Sequence, residues 1–293
     1  MLESKIKVAR PLIACEVTSH GVAAARVNHR SGALESMHSR SLPEGAVVPS
    51  LTTANVINSD VLRSAIADTV TAVAGRSHEL TAVLPDMAAR VVLLDFDTLP
   101  VKTSEADAAV RFRLKKALPF DAEHAVISYH VQRADHDVRV IAAVMHASVR
   151  DEYERAFRDA GCAPAVVLPS TLAALGLVDS RDPALVLKVD TNATSVAIVD
   201  SDRLLLLRTL EGTAAERISA ERLADDVYPS LVYFQDTFGM NVKRILLAGV
   251  KNFRELSPAL EAQTEARVEE LVSPAMTGAG GQSDYAGAIG ALY

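Results

Sequence analysis

Short apolar runs broken by polar turns alternate along this chain with longer stretches of helical spacing. Leu12–Val17, Gly21–Val27 and Ala33–Leu42 read as a strand meander, turned at Asn28-His29-Arg30-Ser31-Gly32. From Asn58 to Ala74 the period becomes helical: Val61, Ala65, Thr69 and Val73 share one face, and Ser59 or Asp60 is placed to cap it. Thr81–Leu84 and Val91–Phe96 predict further strands. Ser104, with Asp107 three residues on, opens a helix to Leu118 whose stripe is Val110, Leu114 and Ala117 or Leu118. Pro119-Phe120 ends it, because proline removes a donor and restricts its neighbour. Ala125–Gln132 and Val138–Met145 form a hairpin about Ala134-Asp135-His136-Asp137. Ser148 is placed to cap a helix carrying Val149, Tyr153, Phe157 and Ala160, and Gly161 closes it.

At Ala184 the meander starts again. Leu12–Val27 aligns with Ala184–Val199 without a gap, setting Glu16 opposite Lys188 and Thr18 opposite Asp190. The two meanders end alike, at Leu42-Pro43-Glu44-Gly45 and at Leu210-Glu211-Gly212. Two copies of one meander, each followed by helices, predict a duplicated α/β fold with a cleft between its halves. The tail adds a helix around Leu231–Phe238 with Pro229 in its first turn or kinking it, a buried strand Arg244–Ala248 followed by Gly249, and a helix from Phe253.

Composition narrows the options. A chain of 293 residues can bury one large or two medium cores. It is 49% hydrophobic but only 4% aromatic and lacks tryptophan, so its interior is built from Ala, Val, Leu and Ile. A net charge of −7 leaves no basic footprint for nucleic acid. The longest apolar run, Ala163 to Val178, is broken by Pro169, Ser170 and Thr171, so no transmembrane segment is expected. The start, MLESKIKVARP, has no apolar signal core, which predicts a cytoplasmic chain. Cys15 and Cys162 stand alone, as core thiols in a reducing compartment do.

Several segments carry a resemblance along nearly the whole chain: "PEGAVVPSLTTANVINSDVLRSAI", "AVLPDMAARVVLLDFDTLP", "LKKALPFDAEHAVISYHV", "VRVIAAVMHASVRDEYERAFRDAGCAPAVV", "LLLLRTLEG", "YPSLVYFQDTFGMNVKRILLAGV" and "YAGAIGALY". The sequence resembles the PilM family of actin-like type IV pilus assembly proteins. It is more distantly similar to FtsA and to the cytoplasmic part of GspL. The resemblance implies an α/β chain with a duplicated actin-like (ribonuclease H-like) fold of two lobes. Residues 1–91 would begin the first lobe and 92–164 would form an inserted α+β subdomain. Residues 165–183 would return and cross over, and 184–293 would form the second lobe.

In that family each meander carries an Asp-x-Gly turn, whose acid orients magnesium or water and whose glycine admits phosphate. Here the first turn reads Glu16-Val17-Thr18-Ser19, and the family's nearby lysine falls on Ala23. In the second turn Lys188 takes the acid's place and Asp190 the glycine's. A register with Asp190 as the acid and Asn192 in the glycine slot is the alternative alignment. The adenosine-contacting Gly-Gly becomes Gly249-Val250, and the helical segment closing over nucleotide shrinks to Thr213–Asp226. The resemblance therefore implies a degenerate nucleotide cleft at Glu16, Thr18, Ser19, Lys188, Asp190 and Gly249. It points to a pseudo-ATPase with no required ATP or magnesium, the alternative being an ATP-binding ATPase of the same machinery.

By the same resemblance the partner is the cytoplasmic N-terminal peptide of a PilN-like single-span inner-membrane protein, alongside other platform proteins. The chain would then be cytoplasmic and peripheral to that membrane. An extended peptide is expected in a groove along Val91–Leu99, between the subdomain and the first lobe. The remaining chemistry-bearing residues read as structural. Asp95 and Asp97 share a strand face, His20 sits in a turn, and His124, His130, His136 and His146 lack metal-ligand spacing. Ser170-Thr171 caps a short helix to Leu177. Arg111-Phe112-Arg113 and Lys115-Lys116 end a helix whose dipole favours cations.

Overall fold

The computed structural model describes residues 10–74, 77–134, 137–179, 182–212, 219–272 and 285–293. Two five-stranded sheets dominate it. The first is ordered β3-β2-β1-β4-β8, from β1 (Ile13–Val17), β2 (Gly21–Val27), β3 (Leu34–Ser41), β4 (Glu79–Leu84) and β8 (Ala163–Pro169). The second repeats that order as β11-β10-β9-β12-β13, from β9 (Ala184–Asp190), β10 (Ala193–Asp200), β11 (Arg203–Glu211), β12 (Arg244–Ala248) and β13 (Arg267–Glu270). Each sheet has an antiparallel meander whose first strand also pairs in parallel with the strand beyond it. The registers match residue for residue: Glu16 pairs with Ala23, and the aligned Lys188 pairs with the aligned Ser195. The gap-free alignment is thus the structural one, and the shifted register does not occur.

β1 and β9 are the central strands, covered on both faces, so nearly every side chain they carry is buried. On the outer face of the first sheet, Ile13, Cys15 and Val22 pack against α1 (Ser59–Ala74) and α3 (Ala147–Asp159). The outer face of the second presents Leu185, Leu187 and Ile198 to α5 (Ala220–Phe238) and α6 (Phe253–Thr264). The inner faces, Ala14, Ala25 and Val83 against Val186, Ala197 and Leu246, meet around the short helices α4 (Ser170–Ala174) and α7 (Ala286–Gly290). One apolar cluster therefore spans both lobes, which makes them a single packed unit. Cys15 and Cys162 are free and lie in the first-lobe core; burial pushes the Cys15 thiol well up.

The inserted subdomain is a three-stranded sheet, β5-β7-β6, covered by α2 (Thr103–Leu114). Its strands are β5 (Arg90–Phe96), β6 (Ala125–Ala134) and β7 (Asp137–His146). It ends earlier than the expected boundary near residue 164. Tyr153 and Phe157 of α3 belong to the first-lobe core, Tyr153 Oη donates to Asn55 Oδ1 at 3.2 Å, and β8 pairs with β4. The apolar stripe of α3 suits either unit, so its period alone does not assign it.

Helix starts also move. Asn58, not Ser59 or Asp60, caps α1, its Oδ1 accepting from Val61 N at 3.2 Å. The ring of His146, not Ser148, caps α3. α2 starts after Lys102 without a side-chain cap, and Asp107 instead accepts from Tyr129 Oη at 2.7 Å. α5 begins well before Leu231, capped by Ser219, and carries Pro229 in its interior. Pro229 is exposed, so the Asp225 carbonyl that loses its partner can turn to solvent. The hairpin tip at 135–136, with His136, and residues 213–218 of the shortened segment lie outside the described residues.

Candidate functional site

The cleft between the lobes is framed by two hairpin tips. Thr18 spans the first: its backbone N–H donates to Gly21 O at 2.8 Å and its Oγ1 accepts from Gly21 N at 3.1 Å. Its methyl-bearing side chain is thereby tied into its own turn. Ser19 Oγ donates to Thr191 Oγ1 of the second tip at 2.9 Å. His20 Nδ1 lies 3.3 Å from the same hydroxyl and 3.6 Å from Asp190 Oδ1. The tips therefore touch across the cleft mouth. Asp190 Oδ1 also accepts from Thr191 N at 2.7 Å.

Beneath them, Lys188 Nζ stands 3.5 Å from Glu16 Oε1, with side-chain exposures of 3% and 0%. Glu16 Oε1 also accepts from Ser170 Oγ, and Oε2 from Ala288 N at 2.8 Å. Burial works against the Lys188 ammonium, but Glu16, Asp190 and Asp86 outweigh it and hold its pKa above the usual lysine value. Asp86, in the turn after β4, accepts from Thr171 N at 2.8 Å, from Thr171 Oγ1 and from Ser195 Oγ at 2.9 Å. One buried cation thus sits among three carboxylates contributed by both lobes.

Gly249 has φ +78°, and a Cβ there would lie 2.0 Å from Val189 O. The close approach of the β12 end to β9 accounts for this glycine, and Val250 is buried in the second-lobe core. Gly287 is required more directly by the site, since its Cβ would come 2.6 Å from Glu16 Oε1.

Of the predicted residues, Glu16, Thr18, Ser19, Lys188 and Asp190 lie in the two facing hairpins, and Gly249 packs against Val189 O. Three partners did not show in the sequence reading: Asp86, Thr171 and Ser195. Ser170 and Thr171, expected as caps, bind the carboxylates of Glu16 and Asp86 instead, and the cap residue of α4 is Pro169. A signal was present. Leu84-Pro85-Asp86 and Leu168-Pro169-Ser170 repeat one pattern at the carboxyl ends of neighbouring parallel strands, where α/β sheets place their sites. The donor set does not fit magnesium-bound phosphate. Each carboxylate is already taken by protein donors, and an ammonium holds the centre. No group of three or more metal-ligating side chains occurs among the described residues.

Elsewhere, Asp95 is held by Arg139 through two contacts of 2.6 and 3.1 Å, and Arg139 Nη1 reaches Leu205 O at 3.3 Å, tying the insert to the second lobe. β5 lies close to β11, and small recesses border its Arg90–Leu93 end; the larger groove between insert and first lobe lies elsewhere. It runs along β6 and β7. A cavity of about 750 Å³ opens there, lined by His130 and Ile141 of the insert, Val166 and Leu168 of β8, and Leu175 and Leu204 among others.

Two sheets of identical order, an inserted subdomain and an interlobe cleft make a two-lobed α/β fold of the actin-like type. No family model and no curated protein matches the chain. Among solved structures it is similar to the PilM-PilN type IV pilus biogenesis complex, at 18% identity over 96% of this chain and 97% of that one, with a TM-score of 0.78. It is also similar to the cytoplasmic domain of EpsL, an inner membrane component of the type II secretion system of Vibrio cholerae (8% identity, 89% and 97% covered, TM-score 0.52). The ethanolamine utilization protein EutJ from Carboxydothermus hydrogenoformans has the fold as well (8% identity, 96% and 89% covered, TM-score 0.53). No described helix is long and apolar enough to cross a membrane.

Proposed function

We propose that this chain is a non-catalytic actin-like scaffold of a type IV pilus or related secretion platform. It binds the cytoplasmic N-terminal peptide of a PilN-like single-span protein and so lies in the cytoplasm against the inner membrane. The observation that carries the non-catalytic part is the Lys188–Glu16 pair: a buried ammonium stands where a phosphate-bound metal would have to sit. The likeness to the PilM-PilN complex supports the partner class. The 750 Å³ groove supplies what such a peptide needs, apolar pockets beside the strands β6 and β8, each at the edge of its sheet.

The test is a titration with the N-terminal cytoplasmic peptide of the single-span protein encoded beside this one. Apolar-anchored docking in this groove gives micromolar affinity, about −8 kcal/mol. Val166→Asp and His130→Asp should each weaken it, whereas Lys188→Met, in the other cleft, should leave it unchanged. Loss of binding in Lys188→Met with normal binding in Val166→Asp would move the peptide site into the cleft.

A further inference from the structure

Helix α2 covers the subdomain sheet with one face and turns the other to solvent. Val110 and Leu114 are buried in the insert's core, so the residues opposite them on the helix, Glu105, Ala108 and Phe112, stand in water. Phe112 is 69% exposed, and Val101, just before the helix, is 100% exposed. Arg111 and Arg113 flank Phe112, and Lys115 and Lys116 follow one turn on; all four are exposed.

Charge singles this face out. Four cations stand in the six residues Arg111 to Lys116 of a chain whose net charge is −7, a local reversal of sign. The acids of α2 sit nearer its start and are engaged there: Glu105 Oε1 lies 3.3 Å from Lys102 Nζ, and Asp107 Oδ1 accepts from Tyr129 Oη at 2.7 Å. Among the described residues none of the four cations has an acidic side chain within ion-pair distance, Asp97 and Asp121 included. Arg113 is held by neutral groups, its guanidinium 5.1 Å from the Phe96 ring centre and its Nη2 donating to Asp95 O at 3.0 Å. The helix dipole favours cations in this last turn, but it gives no reason for a large apolar ring to stand in water among them.

We propose that this face of α2 rests directly on a bilayer surface of anionic phospholipid, with Phe112 entering the boundary between headgroups and acyl chains and the cations at the level of the phosphates. The setting of Phe112 favours lipid over an acidic protein. Its neighbours along the helix face are Ala108, Ala109, Lys115 and Lys116, so no apolar patch extends around it. A protein partner draws its binding energy from anchors buried together in pockets, whereas a bilayer interface takes up a lone aromatic ring without shape complementarity. The long lysine and arginine stems let the charges stay in water while the ring enters. Each cation held near an anionic leaflet strengthens binding about fivefold. None of the residues lining the peptide groove lies on α2, so this reading and the one above can fail separately.

The experiment is flotation of the full chain with vesicles of mixed phosphatidylglycerol and phosphatidylcholine, beside vesicles of phosphatidylcholine alone. The chain should float with the first and not with the second, and should come off as salt rises. Arg111→Gln, Lys115→Gln and Lys116→Gln together should weaken binding about a hundredfold. The melting temperature should not move, since all three side chains are exposed. Phe112→Ser should weaken binding several-fold. The chain has no tryptophan, so Phe112→Trp supplies a single reporter whose emission should shift to the blue on the anionic vesicles. The emission of Tyr228→Trp, equally exposed but on α5, should stay where it is. Absent flotation, undiminished flotation of the triple variant, or an unshifted Phe112→Trp in a chain that floats would overturn the proposal. So would an equal shift in Tyr228→Trp, which would mark general adsorption. Capture by soluble polyglutamate of a chain that ignores the vesicles would overturn it too, in favour of an acidic protein segment.

Discussion

Lys188 of the second lobe lies 3.5 Å from Glu16 of the first, and neither side chain reaches water. Removing one member of such a pair leaves the other as an uncompensated buried charge, which costs roughly 3–5 kcal/mol. Lys188→Met should therefore lower unfolding free energy by about that amount in urea titrations. Glu16→Gln combined with Lys188→Met should recover a good part of the loss, because glutamine stays neutral and can still accept from Ser170 Oγ or Ala288 N. Equal stability of the wild type and Lys188→Met would mean that the pair contributes nothing to holding the lobes together.

The same pair sets a pH dependence. The folded-state pKa of Lys188 is raised, so its stabilising contribution is fully present below the unfolded value of about 10.4 and is lost as pH rises through the folded value above that. As pH rises above about 10.4 the wild type should lose more stability than Lys188→Met, measured by urea midpoints at each pH. Parallel curves for the two proteins would sever the link between this lysine and the alkaline limb.

Gly249 separates a structural from a ligand-binding explanation of a family landmark. A Cβ at this left-handed position would press into Val189 O, 2.0 Å away. Gly249→Ala should destabilise the second lobe by roughly 1–3 kcal/mol, the usual cost of such backbone strain, with or without nucleotide. A variant as stable as the wild type would show that β12 and β9 do not meet this closely.

How much of this was legible depends on range. The gap-free match of the two meanders aligned Glu16 with Lys188, because both copies keep the same spacing of apolar strands and turns over neighbouring residues. The helix caps were not legible: Asn58 and Ser59, or His146 and Ser148, are equally good local candidates, and backbone geometry chooses between them. Nor were the roles of Asp86, Thr171 and Ser195, whose hydrogen bonds join segments some 85 to 109 residues apart. The insert boundary misled for a related reason: α3 shows an apolar stripe without showing what covers it. That the larger groove lies along β6 and β7 rather than along Val91–Leu99 was not legible either, because the Arg139 contacts to Asp95 and Leu205 join segments far apart in sequence.

Nucleotide provides the sharpest test of the cleft. A ligand that binds only the folded state stabilises it by about 2.7 kcal/mol when present at a hundred times its Kd, which raises the melting temperature by several degrees. Magnesium-ATP would have to displace Lys188 from Glu16, strip Asp86 of Thr171 and Ser195, and part Ser19 from Thr191 at the cleft mouth. Each of those contacts is buried or half-buried, and the phosphates would gain no glycine N–H at position 18 or 190 in return. Millimolar ATP with magnesium should accordingly leave the melting curve where it is, and phosphate release should stay at background. A dose-dependent rise that Glu16→Gln removes would show instead that the lobes open, that the ion pair is a closed-state latch, and that this cleft still binds nucleotide.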